Sequence, residues 1–261
     1  MNPALWVSKT GLDAQQTRMQ VIANNLANVN TTGFKRSRAV FEDLLYQNVR
    51  QVGAATAEDA NLPSGLMLGT GVRTVATEKI FSQGNVLQTD NPLDLSINGR
   101  GFFQILRPDG SLAYTRTGAF QINDGGEIVD SSGMRLEPGI TVPPNTESIT
   151  IGADGTVSVV QAGGTEPVNI GTIEIADFVN PGGLQPVGEN LYLPSAASGA
   201  AQVGTPNAGG LGKLNQATLE SSNVNIVEEL VNMIETQRAY EVNSKSVSTT
   251  DQMLQRLTQS L

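Results

Sequence analysis

The sequence contains neither cysteine nor histidine. The first absence excludes disulfides, thiol nucleophiles and thiolate metal sites. The second removes the commonest general base and the commonest zinc ligand. Aromatic residues are scarce, at 5% of the chain, which argues against a large aromatic core or a sugar-binding platform. Basic residues are outnumbered by acidic ones, 16 to 25. A net charge of −9 disfavours a nucleic-acid partner, whose phosphates require a basic face. No run of about eighteen apolar residues occurs, so no membrane-spanning helix is expected. Met1 to Lys9 lacks a basic segment followed by an apolar one, so a cleavable secretory signal is not expected either.

Recognisable catalytic signatures are also missing. There is no G-x-S-x-G elbow, no phosphate-binding G-x-x-x-x-G-K-[ST] loop and no H-E-x-x-H. Gly99-Arg100-Gly101 resembles part of a dinucleotide loop, but position 104 is Gln where the third glycine is needed, and a bend between strands explains these glycines. Asp109-Gly110, Asp124-Gly125 and Asp154-Gly155 do not belong to a D-x-[DN]-x-[DN]-G calcium loop and read as hairpin turns. No enzyme activity, cofactor or metal is expected from these patterns.

What is present lies at the two ends. Ile226, Met233, Tyr240, Val247, Leu254 and Leu261 stand seven residues apart. Leu5, Leu12, Met19 and Leu26 repeat the step near the N-terminus, accompanied by Ile22 and Val29. A seven-residue repeat draws one narrow apolar line along a helix, suited to a seam with another helix. The other reading is an amphipathic helix docked on its own domain. Asn2-Pro3 is a favourable helix start. Asn30, Thr31, Thr32 and Gly33 are the expected stop, with Gly33 suited to a left-handed terminal turn. Asn225 and Glu228 fit a capping box for a C-terminal helix roughly 50 Å long at 1.5 Å per residue.

Between the ends, the 28 glycines and 12 prolines are mostly central and mark turns between short strands. Leu93 to Ile97, Ser148 to Ile151 and Thr156 to Val159 alternate as half-buried strands do. The expected class is α+β: long N- and C-terminal helices paired as a coiled-coil domain, with a mainly antiparallel β centre forming a small barrel or sandwich. The expected divisions are 1–46 for the N-terminal helix and its arm, 47–70 for an extended linker with a turn at Pro63-Ser64-Gly65, 71–214 for the β domain and 215–261 for the C-terminal helix. Residues 34–46 suit a short helix or an extended arm, and 196–212 suit a surface loop.

Two polar groups stand out. Lys35, Arg36 and Arg38 form the one basic cluster, either a solvated face or a partner for acids on a neighbouring copy. Asn24, Asn25, Asn28 and Asn30 crowd a helix end, although asparagine is a mediocre helix former. They suit amide hydrogen bonds across a packed interface, or capping, or a fraying polar end.

The string from Ile22-Ala23-Asn24-Asn25-Leu26-Ala27-Asn28 to Gly33-Phe34-Lys35 resembles the N-terminal signature of the bacterial flagellar rod and hook proteins. Leu95-Ser96-Ile97-Asn98-Gly99-Arg100-Gly101-Phe102-Phe103 and Tyr114-Thr115-Arg116-Thr117-Gly118-Ala119-Phe120 are similar to their central motifs. Ser222-Asn223-Val224-Asn225, with Glu228 to Ile234 and Gln237 to Tyr240, is similar to their C-terminal block. The resemblance covers essentially the whole chain and is strongest to distal rod members. It implies a structural subunit that stacks helically into a rigid hollow drive shaft and transmits torque from motor to hook. It also implies export through the flagellar type III apparatus and a basal-body location spanning the periplasm. Implied partners are further copies, other rod proteins, the hook protein and the surrounding ring proteins, with no nucleic acid and no membrane insertion. The residues expected at the assembly interface are Leu5, Leu12, Met19, Ile22, Asn24, Asn25, Leu26, Asn28, Ile226, Leu230, Met233, Tyr240, Val247 and Leu254. The family motifs single out Gly33, Phe34, Lys35, Gly99, Gly101, Phe102, Phe103, Gly118 and Phe120. A proximal rod or hook subunit is the sibling alternative. A secreted β-rich carbohydrate-active enzyme or adhesin with helical oligomerisation arms is the alternative from another class.

Overall fold

The structure, a computed structural model, describes residues 3–51, 55–57, 60–61, 64–164 and 166–259. Asn2, Pro63 and Leu261 lie outside the described residues, as does the side chain of Leu254. The fold is α+β. Helix α1 (Pro3–Ala27) and helix α2 (Ile226–Gln259) flank a mostly antiparallel β region. Contacts divide the chain into two units. One gathers Met1–Ala27, Ser37–Glu78 and Asn225–Leu261; the other gathers Asn28–Arg36 and Lys79–Val224.

In the helical unit, α1 and α2 pack against each other. After α1 the backbone is extended rather than helical: Ser37–Asp43 is a strand paired with Val72–Lys79. The stretch expected as a linker carries paired strands. Tyr46–Arg50 runs antiparallel to Leu66–Gly69, with Tyr46 opposite Gly69 and Asn48 opposite Met67. Backbone pairing explains why periodicity is invisible here: both strands are solvent-exposed along their whole length, so no alternation is imposed.

The central unit is built around Phe102–Leu106. One side of this strand pairs with Leu112–Thr115. The other side is shared, with Arg135–Glu137 against Gln104 to Leu106 and Ile175–Asp177 against Phe102 and Phe103. The nine-stranded sheet therefore forks and does not close, which corrects the expected barrel. Two short strands diverging from one neighbour leave no continuous edge to complete a ring. A three-stranded meander, Thr146–Ile151, Thr156–Gln161 and Val168–Thr172, adds a separate layer.

Adjacent residues of a strand face opposite ways, and Phe102-Phe103 serves two cores accordingly. Phe103 joins Leu95, Ile105, Phe120, Leu136, Val157 and Ile175 in the larger cluster, its ring 5.1 Å from that of Phe120. Phe102 joins Tyr114, Phe178 and Tyr192 in the smaller one. All three Asp-Gly pairs lie in hairpin turns, with Gly110, Gly126 and Gly155 taking the left-handed conformation. The expected loop at 196–212 is only partly one: Gln202–Gly204 pairs with Ile175–Asp177, and Ser198 is buried.

Gly118 shows why the central motif needs a glycine. A Cβ there would sit 1.7 Å from the carbonyl oxygen of Leu95, far inside van der Waals contact. Gly118→Ala is expected to destabilise the central unit by roughly 2 kcal/mol or more through forced overpacking, measured by urea unfolding.

Candidate assembly interface

The two helices meet antiparallel. Gly11 faces Asn243, where a Cβ would stand 3.1 Å from the Asn243 amide nitrogen. Arg18 Nη2 donates to Asn232 Oδ1 at 3.5 Å. Asn25 Nδ2 donates to Glu229 Oε1 at 3.4 Å and to the Ser37 carbonyl at 2.9 Å. The Ser37 N–H returns a bond to Asn25 Oδ1 at 2.8 Å. Asn25 is thus a buried clasp between α1, α2 and the strand that follows α1. This is a use for asparagine that a helix exterior does not offer.

The row that α2 turns inward is Glu229, Thr236, Asn243 and Thr250, again seven apart. Glu229 and Thr236 are buried, and Asn243 and Thr250 are half-buried. Thr236 donates its hydroxyl to the Asn232 carbonyl at 2.6 Å, which satisfies it inside the helix. From α1, Gly11, Arg18 and Asn25 meet α2, and Ala14 and Ile22 are buried. A leucine in such a seam contributes about 1.5–3 kcal/mol through burial. Threonine, asparagine and glutamate contribute much less, so the pairing of α1 with α2 leaves most apolar side chains unused.

Those side chains are outside. Ile226, Leu230 and Tyr240 are exposed, and Met233 and Val247 are half-buried. Val227, Leu230, Val231 and Ile234 stand at i, i+3, i+4 and i+7 on one exposed face, with Val227 69% and Ile234 52% accessible. On α1, Ile22 and Asn25 are buried, whereas Leu5, Leu12, Met19 and Leu26 are half-buried and Asn24 is exposed. Asn28 belongs to the central unit, where its side-chain oxygen accepts from the Thr31 hydroxyl at 3.2 Å. The cap of α2 is made by Asn225, whose Oδ1 accepts from the N–H groups of Val227 and Glu228 at 3.0 and 3.4 Å.

The motif residues Gly33, Phe34, Lys35, Gly99, Gly101, Phe102, Phe103, Gly118 and Phe120 all fall within the central unit. There Lys35 has no solvated face. Its ammonium is fully buried, 2.6 Å from Glu220 Oε1 and 2.8 Å from the Ser82 carbonyl. Glu220 Oε1 also accepts the Gly84 N–H at 2.8 Å. Arg116 completes the cluster, its Nε 3.8 Å from Glu220 Oε2. Burial, opposed by the Glu220 charge, holds the Lys35 ammonium below its ordinary pKa. Arg116 is depressed for the same first reason. Gly33 lets this happen: at φ +70° its Cα comes so close to the Arg116–Thr117 backbone that a Cβ would lie 2.6 Å from the Thr117 nitrogen. The N-terminal signature, the Tyr-Thr-Arg-Thr-Gly motif and Glu220 are thereby joined by one ionic knot. Arg36 and Arg38 differ from Lys35. The Arg36 N–H donates to Asn223 Oδ1 at 2.7 Å, and the Arg38 side chain makes an exposed pair with Glu78.

The expected site residues did not include Glu220, Arg116, Glu229 or Thr236, although Arg116 and Glu229 lie within the quoted motifs. For the last two a signal existed, since they repeat at seven residues beside the apolar row.

Models of three flagellar families match successive parts of the chain. The flagella basal body rod protein family matches 5–35, the flagellar hook protein FlgE/F/G D1 domain matches 96–159, and the flagellar basal body rod FlgEFG protein C-terminal family matches 215–260. The flagellar basal-body rod protein FlgG of Buchnera aphidicola subsp. Schizaphis graminum is 58% identical over 259 residues, covering 99% of this chain and 100% of its own. The chain belongs to the FlgG family of flagellar basal-body rod proteins. FlgG of Caulobacter vibrioides is 48% identical over 98% of each chain, and FlgF of the same organism 34% identical over 97% of this chain and 95% of its own. That margin separates the siblings. The protein is a structural subunit of the distal rod of the flagellar basal body. Among the described residues no helix is long and apolar enough to cross a membrane.

Proposed function

We propose that this rod subunit polymerises with copies of itself into a rigid, hollow helical shaft, and that α1 and α2 supply the contacts between copies. The observation that carries this reading is the apolar surface that the pair leaves uncovered: α2 turns Glu229 and Thr236 inward, while Ile226, Val227, Leu230, Val231, Ile234 and Tyr240 are exposed and the α1 row from Leu5 to Leu26 is only half-buried. A monomer with such a face has surface to bury, and a heterologous contact that does not close propagates along an axis. Leu5, Leu12, Met19, Leu26, Ile226, Leu230, Met233, Tyr240, Val247 and Leu254 would meet neighbouring helices, with Asn24 adding polar bonds; Ile22, Asn25 and Asn28 would support that face from within their own chain.

The arm at 46–69 adds a second unpartnered surface. Tyr46, Val49, Leu66, Met67 and Leu68 are exposed on its paired strands Tyr46–Arg50 and Leu66–Gly69, and Leu45 is exposed just before them. A two-stranded hairpin alone in water is marginally stable, so contacts with neighbours would stiffen it and the shaft together. Torque transmission requires such locked contacts and no catalytic cleft; the role is structural and not enzymatic. Other rod proteins, the hook protein, the ring proteins and the type III export apparatus are the expected partners, with export needing no cleavable signal and the shaft spanning the periplasm. Electron microscopy of the concentrated, purified chain tests this reading. Straight hollow rods are expected, and a solution that stays monomeric by sedimentation at every concentration would overturn it.

A further inference from the structure

Four dipeptides of the central unit place an acid or amide side chain before glycine: Asn98-Gly99, Asp109-Gly110, Asp124-Gly125 and Asp154-Gly155. Glycine has no Cβ to shield its own nitrogen, so at such a pair that nitrogen can attack the preceding side-chain Cγ. The attack needs a nitrogen free of other acceptors and a side chain able to turn onto it. At three of the four pairs the nitrogen is held. The Gly110 N–H donates to the Arg107 carbonyl at 2.9 Å and the Gly155 N–H to the Gly152 carbonyl at 3.0 Å. The Gly99 N–H donates to Gln83 Oε1 at 3.1 Å, and Asn98 is fixed in a strand opposite Lys213. Two of the carboxyls are held as well. Asp109 Oδ1 accepts from the hydroxyl and the N–H of Ser111, and Asp154 accepts the Thr156 N–H at 3.2 Å and its hydroxyl at 2.9 Å. These bonds keep both carboxyls below the ordinary carboxylate pKa, in the anionic form that cannot expel water. Asp124-Gly125 differs because its turn closes one residue later. The Gly126 N–H donates to the Asn123 carbonyl at 3.0 Å, which leaves Gly125 in the middle of the turn. Asn123 also does what the aspartates do elsewhere: its Oδ1 accepts the Glu127 N–H at 2.8 Å. Among the described residues, the Asp124 carboxyl and the Gly125 N–H have no hydrogen-bond partner, and both residues are exposed.

We propose that Asp124 is a covalent modification site, at which the folded chain converts an aspartyl link into an isoaspartyl one ahead of the other three pairs. A bond forms between the Gly125 nitrogen and Asp124 Cγ; the amide proton and a carboxyl oxygen leave together as water. Water then adds to the cyclic imide at the Asp124 backbone carbonyl and reopens it, so that the chain runs on through the side-chain carbon. One water is lost and one regained, and nothing is oxidised or reduced. The product has one more backbone atom in a turn whose ends are tied by the bond from Gly126 to Asn123. It also carries a free α-carboxylate, the group that an isoaspartyl methyltransferase recognises.

Ageing of the full-length folded protein in mildly acidic buffer tests this. Isoaspartate is located by methylation with an isoaspartyl methyltransferase and labelled S-adenosylmethionine, followed by peptide mapping, and deamidation of Asn98 is read in the same maps by mass. Isoaspartate is expected at position 124 about tenfold faster than at 109 or 154, where bonds to both the nitrogen and the carboxyl must first break. It is also expected before any change at Asn98. Gly125→Ala should suppress the reaction at 124 and leave 109 and 154 as they were. A Cβ there meets only the Asn123 side chain, at 3.3 Å from its Oδ1, so the turn should survive the change. In urea the three Asp-Gly pairs should react at similar rates and Asn98 should overtake them, because the bonds that protect them are gone. Equal rates at the three aspartates in the folded protein, earlier conversion of Asn98, or the same preference for 124 in urea would each overturn the proposal.

Discussion

Glu220→Ala is expected to destabilise the central unit by roughly 3–5 kcal/mol, the cost of stranding a buried charge by removing its partner. The substitution leaves the Lys35 ammonium with only the Ser82 carbonyl and removes the acceptor of the Gly84 N–H. It also deprives Arg116 of the nearby carboxylate. For a unit of this size the melting temperature should fall on the order of 10 °C. The double change Lys35→Met with Glu220→Leu should recover only the part of the loss that comes from the stranded ammonium, because the Gly84 N–H and Arg116 still lack the carboxylate. Thermal unfolding of the three proteins decides the matter. A Glu220→Ala variant within about 0.5 kcal/mol of the parent, the range of an ordinary surface change, would show that the knot is not dry.

Val227→Asp combined with Ile234→Asp is expected to abolish rod formation while leaving the central unit intact. Both side chains are more than half exposed in the single chain. Introducing carboxylates there changes little in the monomer, where surface substitutions stay within about 0.5 kcal/mol. In a packed neighbour contact each buried, unpaired carboxylate would cost several kcal/mol, and a helical polymer repeats that cost at every subunit. The measurement is a pair: electron microscopy for rods and urea unfolding for the central unit. Rods of normal length from the double variant would place the contact on another face. Met233→Asp should act in the same direction but with some loss of monomer stability, since Met233 is already half-buried.

The two variants separate two ways in which charge and apolarity are used. In the central unit an ion pair lies inside and holds the N-terminal motif to the sheet region. On α2 the apolar side chains of Val227, Leu230, Val231 and Ile234 lie outside, where a soluble monomer would ordinarily place charge. That inversion is reasonable for a subunit whose final surroundings are other subunits.

Much of this was legible beforehand. The seven-residue spacing gave both helices, Pro3 marks where α1 begins, and Asn225 supplies the cap of α2. The Asp-Gly pairs located three hairpins because a tight turn imposes a positive φ that glycine accepts without strain, at Gly110 and Gly155 within their pairs and at Gly126 just after Asp124-Gly125. The antiparallel β centre followed from short alternating strands, and the motif resemblance pointed to the rod family. These are local properties, set by the backbone conformations that each residue type prefers.

What the tertiary structure decided is which partner each face meets. Periodicity fixes the angle between the Met233 row and the Thr236 row of one helix, but not which of them turns toward α1. Burial of apolar surface normally settles that choice; here the polar row faces α1, where Asn25 bonds its Glu229 and Arg18 reaches the neighbouring Asn232. Lys35 looked like a surface charge because its partner, Glu220, is 185 residues away in the chain. No local signal carries a contact of that range; only the pairing of Thr218–Glu220 with Val86–Gln88 sets the end of that strand beside Gly84 and Lys35. The forked sheet has the same origin, since Phe102–Leu106 chooses three partners from strands that look alike in sequence.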